Sequence, residues 1–386
     1  MWQLLREWPP GYGGVERVAH ELAAAWQAQG QQAVVFSLVA QPKALREPDP
    51  LPVAYRRVPL CSFAFGRMVL PLPSRLLLRM LMAPEPLHAH LPCPAVLGLA
   101  LLARLLRPRR PISLHWHSFL EPAPTPAGRL FGAYQWLAER LLPCFARIIT
   151  TSPVLQGALI AVGAPPEAVR VLPCSLPESL DLQAARIASA RLVEEPGERP
   201  ATVPPQFRLI CIGRLDSYKR VDWLIAALVA AEQVLPSHGP ALQLDVVGDG
   251  PDREALERQA ASLAPNRVRF HGRVEESAKL ALLARADLLV LAANRCNEAF
   301  GIVQLEAMAC AVPAVAFDHP RSGMDWVSRT PVLPWDGRPA SLPALIARLA
   351  ADPVLLASAR RAALQRYHEQ FARAVWLQRL QEAFAP

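Results

Sequence analysis

The first half of the chain alternates short apolar runs with stretches whose apolar residues recur at helical spacing. Short apolar runs predict buried strands, and recurrence every three to four residues predicts amphipathic helices. Strands are predicted at 2–8, 32–40, 86–91, 111–119 and 146–152. Helices are predicted at 15–30 and at the leucine-rich stretch 95–107. Strands that alternate with helices indicate parallel βαβ units with helices on both faces of a sheet.

A second series of the same kind begins at Phe207. Its predicted strands are 207–215, 242–250, 268–274, 286–293 and 313–317. Its predicted helices are 220–234, 252–263, 275–285 and 302–310. The pattern predicts an α/β fold with two Rossmann-like domains whose parallel sheets face each other across a cleft. Such sheets bind ligands outside the carboxyl ends of their strands, so the loops after strands are the candidate sites.

Domain boundaries follow from a change in composition. Residues 173–206 are rich in Pro, Ser and Glu and show little periodic hydrophobicity, which is typical of a linker. We therefore predict an N-terminal domain over 1–172 and a C-terminal domain over 207–370. A final helical stretch occupies 371–386.

Charge is distributed unevenly between the two halves. The chain of 386 residues has a net charge of +8 and is 52% hydrophobic, which excludes a disordered polypeptide. Residues 1–172 hold 17 Lys and Arg against 9 Asp and Glu, whereas the rest of the chain holds 24 of each kind. A cationic half indicates an anionic partner such as nucleic acid, a membrane surface or a phosphorylated substrate, or else a merely basic surface. No nucleic-acid recognition motif accompanies the charge, so we predict no nucleic-acid partner.

Cysteine spacing and hydropathy bear on the compartment. The seven cysteines show no Cys-x-x-Cys spacing, which argues against a disulfide framework or a zinc site and fits reduced thiols in the cytosol. Arg6 and Glu7 interrupt the start, so we predict no secretory signal. The most apolar stretches, 68–84 and 95–106, are shorter than the roughly 18–20 residues of a membrane span and contain Arg. We expect both to form surface or packed helices.

The strongest candidate site is the segment 297–306, NEAFGIVQLE. It runs from a predicted strand end into a helix, with Glu298 in the loop and Glu306 within the helix. Gly301 and Ile302 would present free N–H groups at the helix start, which suit phosphate. Ionised carboxylates only accept hydrogen bonds, so the two glutamates suit sugar hydroxyls on each side of a diphosphate. The alternative is a helix whose glutamates favour its dipole or face solvent.

Cations follow the first strand of the second series. Gly213 and Arg214 end this strand, and Lys219 lies five residues later. Arginine offers a planar fork to phosphate oxygens, and lysine offers a point charge. We predict that this loop binds the same anion as the helix start at Gly301, the alternative being a solvated basic loop.

A glycine-rich turn follows the first predicted strand. Gly11, Gly13 and Gly14 precede a helix, where glycine lets the backbone approach a ligand closely. The spacing is not Gly-x-Gly-x-x-Gly, and no acidic residue ends the second strand, so a nicotinamide dehydrogenase is disfavoured. A tight turn without a ligand is the alternative.

Two His-x-His pairs lie at predicted strand ends: His88 with His90, and His115 with His117. Residues i and i+2 of a strand point to one face, so the four imidazoles could meet at a metal ion. No Asp, Glu or Cys with ligand spacing accompanies them, and we predict no metal site. We expect one histidine to face the cleft as a hydrogen-bonding group; the alternative is that all pack in the core.

Seven motifs occur in an order that one family shares: GGVE, HSF, TSP, GRL with KR, VVGDGP, FHGRV and EAFGIVQLEAMA. The chain thereby resembles the retaining family 4 glycosyltransferases of the GT-B fold over nearly its whole length. The resemblance implies transfer of a sugar from a nucleotide sugar to an acceptor hydroxyl, with retained anomeric configuration and without a metal or other cofactor. It also implies that the donor binds the C-terminal domain, that the acceptor binds the N-terminal domain, and that the last helix, around Trp376, crosses back to the N-terminal domain.

The resemblance also implies roles for residues in the donor domain. Arg214 and Lys219 would neutralise the leaving diphosphate, beside Gly213. Glu298 would bind hydroxyls of the transferred sugar, and Glu306 would bind the ribose. The amides of Gly301 and Ile302 would contact the phosphates.

On the acceptor side, Gly13 and Gly14 would line the cleft, and His117 would face the reacting sugar. Phe119 stands where the family often has an acidic residue, and Glu121 comes two residues later. The acceptor side therefore departs from the family pattern.

The motifs resemble bacterial mannosyl- and glucosyltransferases of surface-polysaccharide synthesis, which favours GDP-mannose over UDP-glucose or UDP-N-acetylhexosamine as donor. The expected acceptor is a lipid-linked saccharide, polysaccharide or glycolipid. The cationic N-terminal half predicts a cytoplasmic protein that binds the anionic inner face of the cell membrane. Two alternatives are a catalytically silent relative that acts as a scaffold and a GT-B sugar-nucleotide epimerase.

Overall fold

A computed structural model describes residues 1–7, 13–39, 53–65, 68–121, 125–193 and 205–385. The chain forms two units, each built on one sheet covered by helices. Unit 1 comprises Met1–Cys174 and Leu377–Pro386, and unit 2 comprises Ser175–Trp376. The predicted α/β fold with two parallel-sheet domains is confirmed.

The sheet of unit 1 has eight strands, all parallel to their neighbours except for one antiparallel pair at an edge. The strands are β1 (Trp2–Leu5), β2 (Val34–Val39), β3 (Arg56–Phe65), β4 (Met68–Pro71), β5 (Leu87–Leu91), β6 (Ile112–Trp116), β7 (Arg147–Thr150) and β8 (Val169–Val171). Their order is β4-β3-β2-β1-β5-β6-β7-β8, with β3 and β4 antiparallel. Every residue of the central strands β5 and β6 is buried, as expected for a sheet covered on both faces.

The helices of unit 1 begin where the sequence supplies capping residues. They are α1 (Gly14–Ala28), α2 (Arg75–Met82), α3 (Pro94–Leu106), α4 (Pro126–Arg140) and α5 (Pro153–Ala161). The side chains of Ser74, Thr125 and Ser152 accept hydrogen bonds from the first turns of α2, α4 and α5. Proline opens three of these helices, where its missing N–H removes no helical hydrogen bond.

The sheet of unit 2 has five parallel strands. They are β9 (Gln206–Ile212), β10 (Ala241–Val247), β11 (Val268–Gly272), β12 (Leu288–Leu291) and β13 (Ala314–Ala316), in the order β11-β10-β9-β12-β13. The helices of this part of the chain are α6 (Glu178–Val193), α7 (Val221–Val234), α8 (Arg253–Leu263), α9 (Glu276–Leu283), α10 (Ile302–Ala309), α11 (Met324–Ser328), α12 (Leu342–Ala351), α13 (Pro353–Gln370) and α14 (Arg373–Phe384).

The predicted linker over 173–206 missed a helix. Helix α6 occupies half of this segment, and its buried residues are Leu180, Ala184 and Ala188, spaced four apart. Two of the three are alanines, so the apolar signal in the sequence is weak. Polar contacts hold the helix instead: the Tyr367 hydroxyl donates to Asp181 over 2.8 Å, and Arg191 donates to the carbonyl of Ala286 over 2.7 Å. Residues 194–204 lie outside the described part.

The prediction that 68–84 forms a helix was wrong for its first residues. Residues 68–71 form β4, which pairs with β3, and helix α2 begins only at Arg75. Proline at 71 and 73 separates the strand from the helix, since proline disfavours helical backbone in the residue that precedes it. Strand β3 itself was not predicted.

The last helix begins in unit 2, and its residues from Leu377 onward belong to unit 1. There Phe384 packs edge-on against Trp26 at 5.1 Å between ring centroids and against His88 at the same distance. Arg147 donates to the backbone carbonyl of Phe384 over 3.1 Å. The end of α14 is therefore part of the core of unit 1.

Across the described ranges, no single helix has both the length and the apolar composition to cross a bilayer. One pair of helical segments has the required length and apolar composition only when both are counted together: Pro339–Ala351 and Pro353–Phe384. The two segments are bent by 105° relative to each other.

Candidate functional site

The strand order of unit 2 defines a ligand-binding edge. Strand β9 lies between two strands of the sheet. One neighbour is β10, the next strand in the chain, and the other is β12, which comes two strands after β10. The chain thus leaves β9 in one direction and returns on its other side, which is the switch point where open parallel sheets bind ligands. The loop after β9 carries Arg214 and Lys219, and the loop after β12 carries Glu298.

Glycines let the loops at this edge touch through their backbones. A Cβ on Gly248 would lie 1.8 Å from the carbonyl oxygen of Gly213, and a Cβ on Gly250 would lie 2.1 Å from that of Leu215. Gly213 in turn donates to Val247, and Leu215 donates to Asp249. The Gly-Asp-Gly sequence after β10 is therefore required to hold the loop after β9 in place.

Lys219 and Glu298 form an ion pair, although they are 79 residues apart in sequence. The amide of Asn294 donates to the carbonyl of Tyr218 over 3.0 Å and joins the two loops beside this pair. Both side chains are largely buried, at 13% and 18% exposed. Burial favours the neutral amine, but the attraction of Glu298 outweighs it and holds the pKa of Lys219 above its usual value. The loop thus keeps a partly desolvated ammonium at the switch point.

Arg214 lies on the same loop but faces solvent. Its side chain is 68% exposed, and its nearest acidic partner is Asp216 at 3.8 Å. A contact at this distance and exposure holds the side chain weakly. The guanidinium of Arg214 is therefore accessible to an anion.

Helix α10 starts at this edge through a left-handed glycine. Gly301 has φ 75°, and a Cβ there would lie 2.4 Å from Leu291, so other residues are excluded. The helix begins at Ile302, whose N–H has no carbonyl within the helix to reach. Gln304 fixes the start by donating to the carbonyls of Phe300 and Met324. Amides, an ammonium and a guanidinium are thus presented at one edge of the sheet.

Glu306 is placed differently from the other predicted residues. Its side chain is completely buried, and its carboxylate lies 2.7 Å from the ammonium of Lys279. Lys279, on α9, also pairs with Glu276 at 2.7 Å. The sequence analysis missed Lys279, although its spacing from Glu276 is that of an intrahelical ion pair. Ribose binding by Glu306 stays a prediction.

In unit 1, Gly13 and Gly14 lie at the start of α1. Gly13 precedes the helix with extended backbone and is exposed. A Cβ there would meet only the far end of the flexible Glu16 side chain, so local packing does not demand glycine. Gly11 and Tyr12 of the same predicted turn lie outside the described residues.

The four predicted histidines form one buried cluster: His88 and His90 lie on β5, His115 lies on β6, and His117 directly follows β6. His88, His90 and His115 are at most 2% exposed, and His117 is 8% exposed. The rings of His115 and His117 stack at 4.1 Å. Burial lowers the pKa of His88 and of His117 to about 3, and lowers the pKa of His90 and of His115 well below the usual value. All four are therefore neutral at pH 7.

The hydrogen bonds of this cluster define the tautomer of His117. Gln3 donates to the carbonyl of Ala19 through Nε2, so its Oε1 accepts from Nε2–H of His90 over 2.7 Å. Nδ1 of neutral His90 then has no proton and accepts from Nε2–H of His117 over 2.9 Å. Nδ1 of His117 is left as the acceptor. Gln3 was not predicted to act at the site, and His90 was predicted only as one of four candidate histidines.

Three of these histidines also have the spacing of metal ligands. One nitrogen each from His88, His90 and His115 lies within 4.8 Å of the others. However, both nitrogens of His88 and of His90 already make hydrogen bonds, to Ser113 and His115 and to His117 and Gln3 respectively. In this arrangement the histidines fit a hydrogen-bonded network better than a metal site.

Comparison with known proteins agrees with this division into two units. A family model described as Glycosyltransferase Family 4 matches residues 12–179, and one described as Glycosyl transferases group 1 matches residues 198–363. Together the two matches include most of the chain. The chain belongs to the family 4 glycosyltransferases.

This glycosyltransferase resembles curated relatives over part of their lengths. It is 39% identical over 113 residues to a GDP-mannose-dependent alpha-(1-6)-phosphatidylinositol dimannoside mannosyltransferase of Mycobacterium tuberculosis, which is 29% of this chain and 27% of the relative. It is 30% identical over 122 residues to the GtfA subunit of a UDP-N-acetylglucosamine–peptide N-acetylglucosaminyltransferase of Streptococcus agalactiae. That segment covers 31% of this chain and 22% of the relative. The matched segments thus span about a quarter of these relatives' own lengths.

The fold of this glycosyltransferase is GT-B. The crystal structure of Anabaena HepE in complex with UDP and glucose superposes with a TM-score of 0.71 at 20% identity. The match covers 100% of this chain and 98% of HepE.

Proposed function

We propose that this glycosyltransferase transfers a hexose from a nucleotide-diphosphate sugar to an acceptor hydroxyl, with retention of configuration and without a metal. The observation that carries the proposal is the Lys219–Glu298 ion pair at the switch point of unit 2. A donor sugar has an anionic diphosphate beside a ring of hydroxyls, and the pair offers a cation beside a hydroxyl acceptor. Donor binding exchanges this pair for contacts with the two parts of the ligand.

Charge development explains why cations are needed there. When the bond between the anomeric carbon and the diphosphate breaks, the sugar becomes oxocarbenium-like and the diphosphate gains negative charge. Groups already fixed toward that charge lower the barrier most. Lys219, Arg214 and the amides of Gly301 and Ile302 supply positive charge to the leaving group, while Glu298 accepts from sugar hydroxyls.

GDP-mannose is the favoured donor, and the acceptor is a hydroxyl of a lipid-linked saccharide, polysaccharide or glycolipid. The mycobacterial relative is described as dependent on GDP-mannose. UDP-glucose and UDP-N-acetylhexosamine are the next candidates, since other similar proteins are described with UDP-linked sugars or UDP.

We further propose a cytoplasmic protein that associates with the inner face of the cell membrane. Exposed apolar side chains accompany arginines on the helices of unit 1, as in Leu78 at 58% exposed and Leu105 at 76% exposed, near Arg79 and Arg104. Apolar and cationic groups side by side are attracted to anionic bilayer surfaces.

A panel of donors tests the transferase proposal. Purified protein is incubated with GDP-mannose, UDP-glucose or UDP-N-acetylglucosamine, with and without a polyprenyl-diphosphate-linked saccharide, and nucleotide release is measured. We expect nucleotide release to be fastest with GDP-mannose and to occur only when an acceptor is present. No release from any pair would favour the catalytically silent scaffold.

On the acceptor side, we propose that Nδ1 of His117 accepts a hydrogen bond from a substrate hydroxyl. Gln3 then acts as a positioning residue through His90. We expect Gln3→Leu to lower kcat about fivefold, the equivalent of one hydrogen bond of about 1 kcal/mol. Nitrogen NMR shifts of the imidazoles would show mixed His117 tautomers in this variant, while Gln31→Leu, at an exposed glutamine, should change neither quantity. An unchanged kcat with mixed tautomers would refute the positioning role.

A further inference from the structure

An apolar groove lies between helices α3 and α4 of unit 1. Its cavity volume is 350 Å³, within the range of about 300–1,000 Å³ typical of small-molecule sites. Leu97 and Leu101 line it from α3, and Leu130, Tyr134 and Leu137 line it from α4. The groove thus has the size for a small ligand rather than for a folded partner.

The lining of the groove is almost entirely apolar. Of the described residues that line it, only Tyr134 has a polar side chain, and its hydroxyl already accepts from the amide of Cys93 over 2.9 Å. The remaining surface is hydrocarbon. A ligand that fills the groove must itself be a hydrocarbon there, because polar groups without partners are costly to bury.

Gly98 keeps the groove open. It is exposed on α3, and a Cβ built on it would meet nothing within 4 Å, so glycine is not needed for packing. A second cavity of 330 Å³ shares Pro94 and Gly98 with the first and extends along α3 to Leu102, with Leu70 of β4 on its other side. The open surface therefore continues past Gly98, as a long chain would require.

Cations stand beside the apolar lining on both helices. Arg104 follows the lining residue Leu101 by three residues on α3, and Arg140 follows Leu137 by three on α4. The guanidinium of Arg140 lies over the ring of Trp136 at 5.0 Å, one residue before Leu137. Leu130 and Leu137 remain 55% and 48% exposed at the groove. An apolar trough with cations at its rim complements a molecule with a hydrocarbon tail and an anionic head.

We propose that this groove binds the hydrocarbon chain of a phosphorylated lipid, whose phosphate pairs with the rim arginines. This proposal rests on the proposed function, in which such a lipid carries the acceptor saccharide. The groove distinguishes the lipid by its chain, independently of the sugar chemistry at unit 2.

Binding of simple alkyl phosphates to the whole protein tests the proposal. We expect calorimetry to detect dodecyl phosphate, below its micelle concentration, and to detect no binding of butyl phosphate. Gly98→Leu should raise the dissociation constant for dodecyl phosphate at least about tenfold, since excluding even two methylenes has this effect. Gly157→Leu is the matched control, because Gly157 is also an exposed helical glycine with nothing within 4 Å of its Cβ position.

A second variant tests the same groove from the other helix. Leu130→Glu puts a carboxylate at the rim and should weaken dodecyl phosphate binding by a similar factor. Leu182→Glu, at a leucine that is 62% exposed on α6, should not. Equal binding by Gly98→Leu and the original protein would overturn the proposal, as would self-association through this face that Gly98→Leu abolishes.

Failure of the proposed function gives a different result. If dodecyl phosphate binds and Gly98→Leu weakens it, but no donor and acceptor pair gives nucleotide release, the transferase proposal fails and the lipid groove stands. If nucleotide is released and the KM for a long-chain acceptor is the same in Gly98→Leu, the groove proposal fails and the transferase proposal stands.

Discussion

Lys219→Ala is expected to lower the rate of nucleotide release by roughly 100- to 1,000-fold, the effect of removing one fixed group that stabilises transition-state charge. Its ammonium is held at the switch point by Glu298 and is largely shielded from water. Steady-state kinetics with saturating donor measures the loss in kcat. Arg214→Ala should also lower kcat, but by a smaller factor, because its guanidinium is mostly exposed.

Two further variants separate catalysis from folding. Lys219→Arg keeps the positive charge and should restore part of the lost rate. Arg258→Ala removes an exposed cation on α8 and should leave kcat unchanged. A near-normal kcat in Lys219→Ala would refute the assigned role of the ion pair.

Acid is expected to destabilise unit 1 strongly, beginning below about pH 6.5. The buried histidines have lowered pKa values in the folded state, about 3 for His88 and for His117, against about 6.5 in an unfolded chain. Between these values the unfolded chain binds more protons than the folded chain, so the free energy of unfolding falls as the pH falls. Each histidine that stays neutral contributes a slope of about 1.4 kcal/mol per pH unit.

Urea unfolding at pH 7.5, 6.0 and 5.0, followed by tryptophan fluorescence, measures this slope. Groups packed around the cluster include Gln3, Ser113 and the cation of Arg147, which also lowers the pKa of His88. His115→Gln should reduce the slope by about 1.4 kcal/mol per pH unit, because one titrating group is removed. A pH-independent stability above pH 4 would contradict the buried, neutral state of the cluster.

Strand and loop positions of the second unit could be predicted because each depends on neighbours in sequence. A buried strand is recognised as an apolar run, although the predicted strand 242–250 wrongly included the Gly-Asp-Gly sequence that follows β10. That the loops carrying Lys219 and Glu298 lie at one edge followed from the rule that parallel strands end at one edge, but their ion pair was not predicted. Helix α6 could not be predicted this way, because it relies on two small alanines and on polar contacts with residues far along the chain. Strand β3 was missed as well.

Burial of the site residues was also beyond the sequence. Glu306 has the spacing of an exposed helical glutamate after the turn at Gly301, yet Lys279 on another helix packs over it. The two His-x-His pairs were predicted to share strand faces, and adjacent parallel strands bring them together. Their hydrogen-bond order depends on Gln3, whose amide carries no local signal of such a role.

The packing of Phe384 against residues near the start of the chain affects when unit 1 can complete its core during synthesis. Trp26 and His88 lie near the start of the chain, but the ring that packs against both is residue 384. At about 5–20 residues per second, a ribosome needs roughly 10–40 s to synthesise the residues between the end of β8 and Phe384. During that interval, Trp26 and His88 of the nascent first unit lack the aromatic ring that packs against them in the folded protein. The last residues of unit 1 are therefore translated after all of unit 2, although most of unit 1 is translated first.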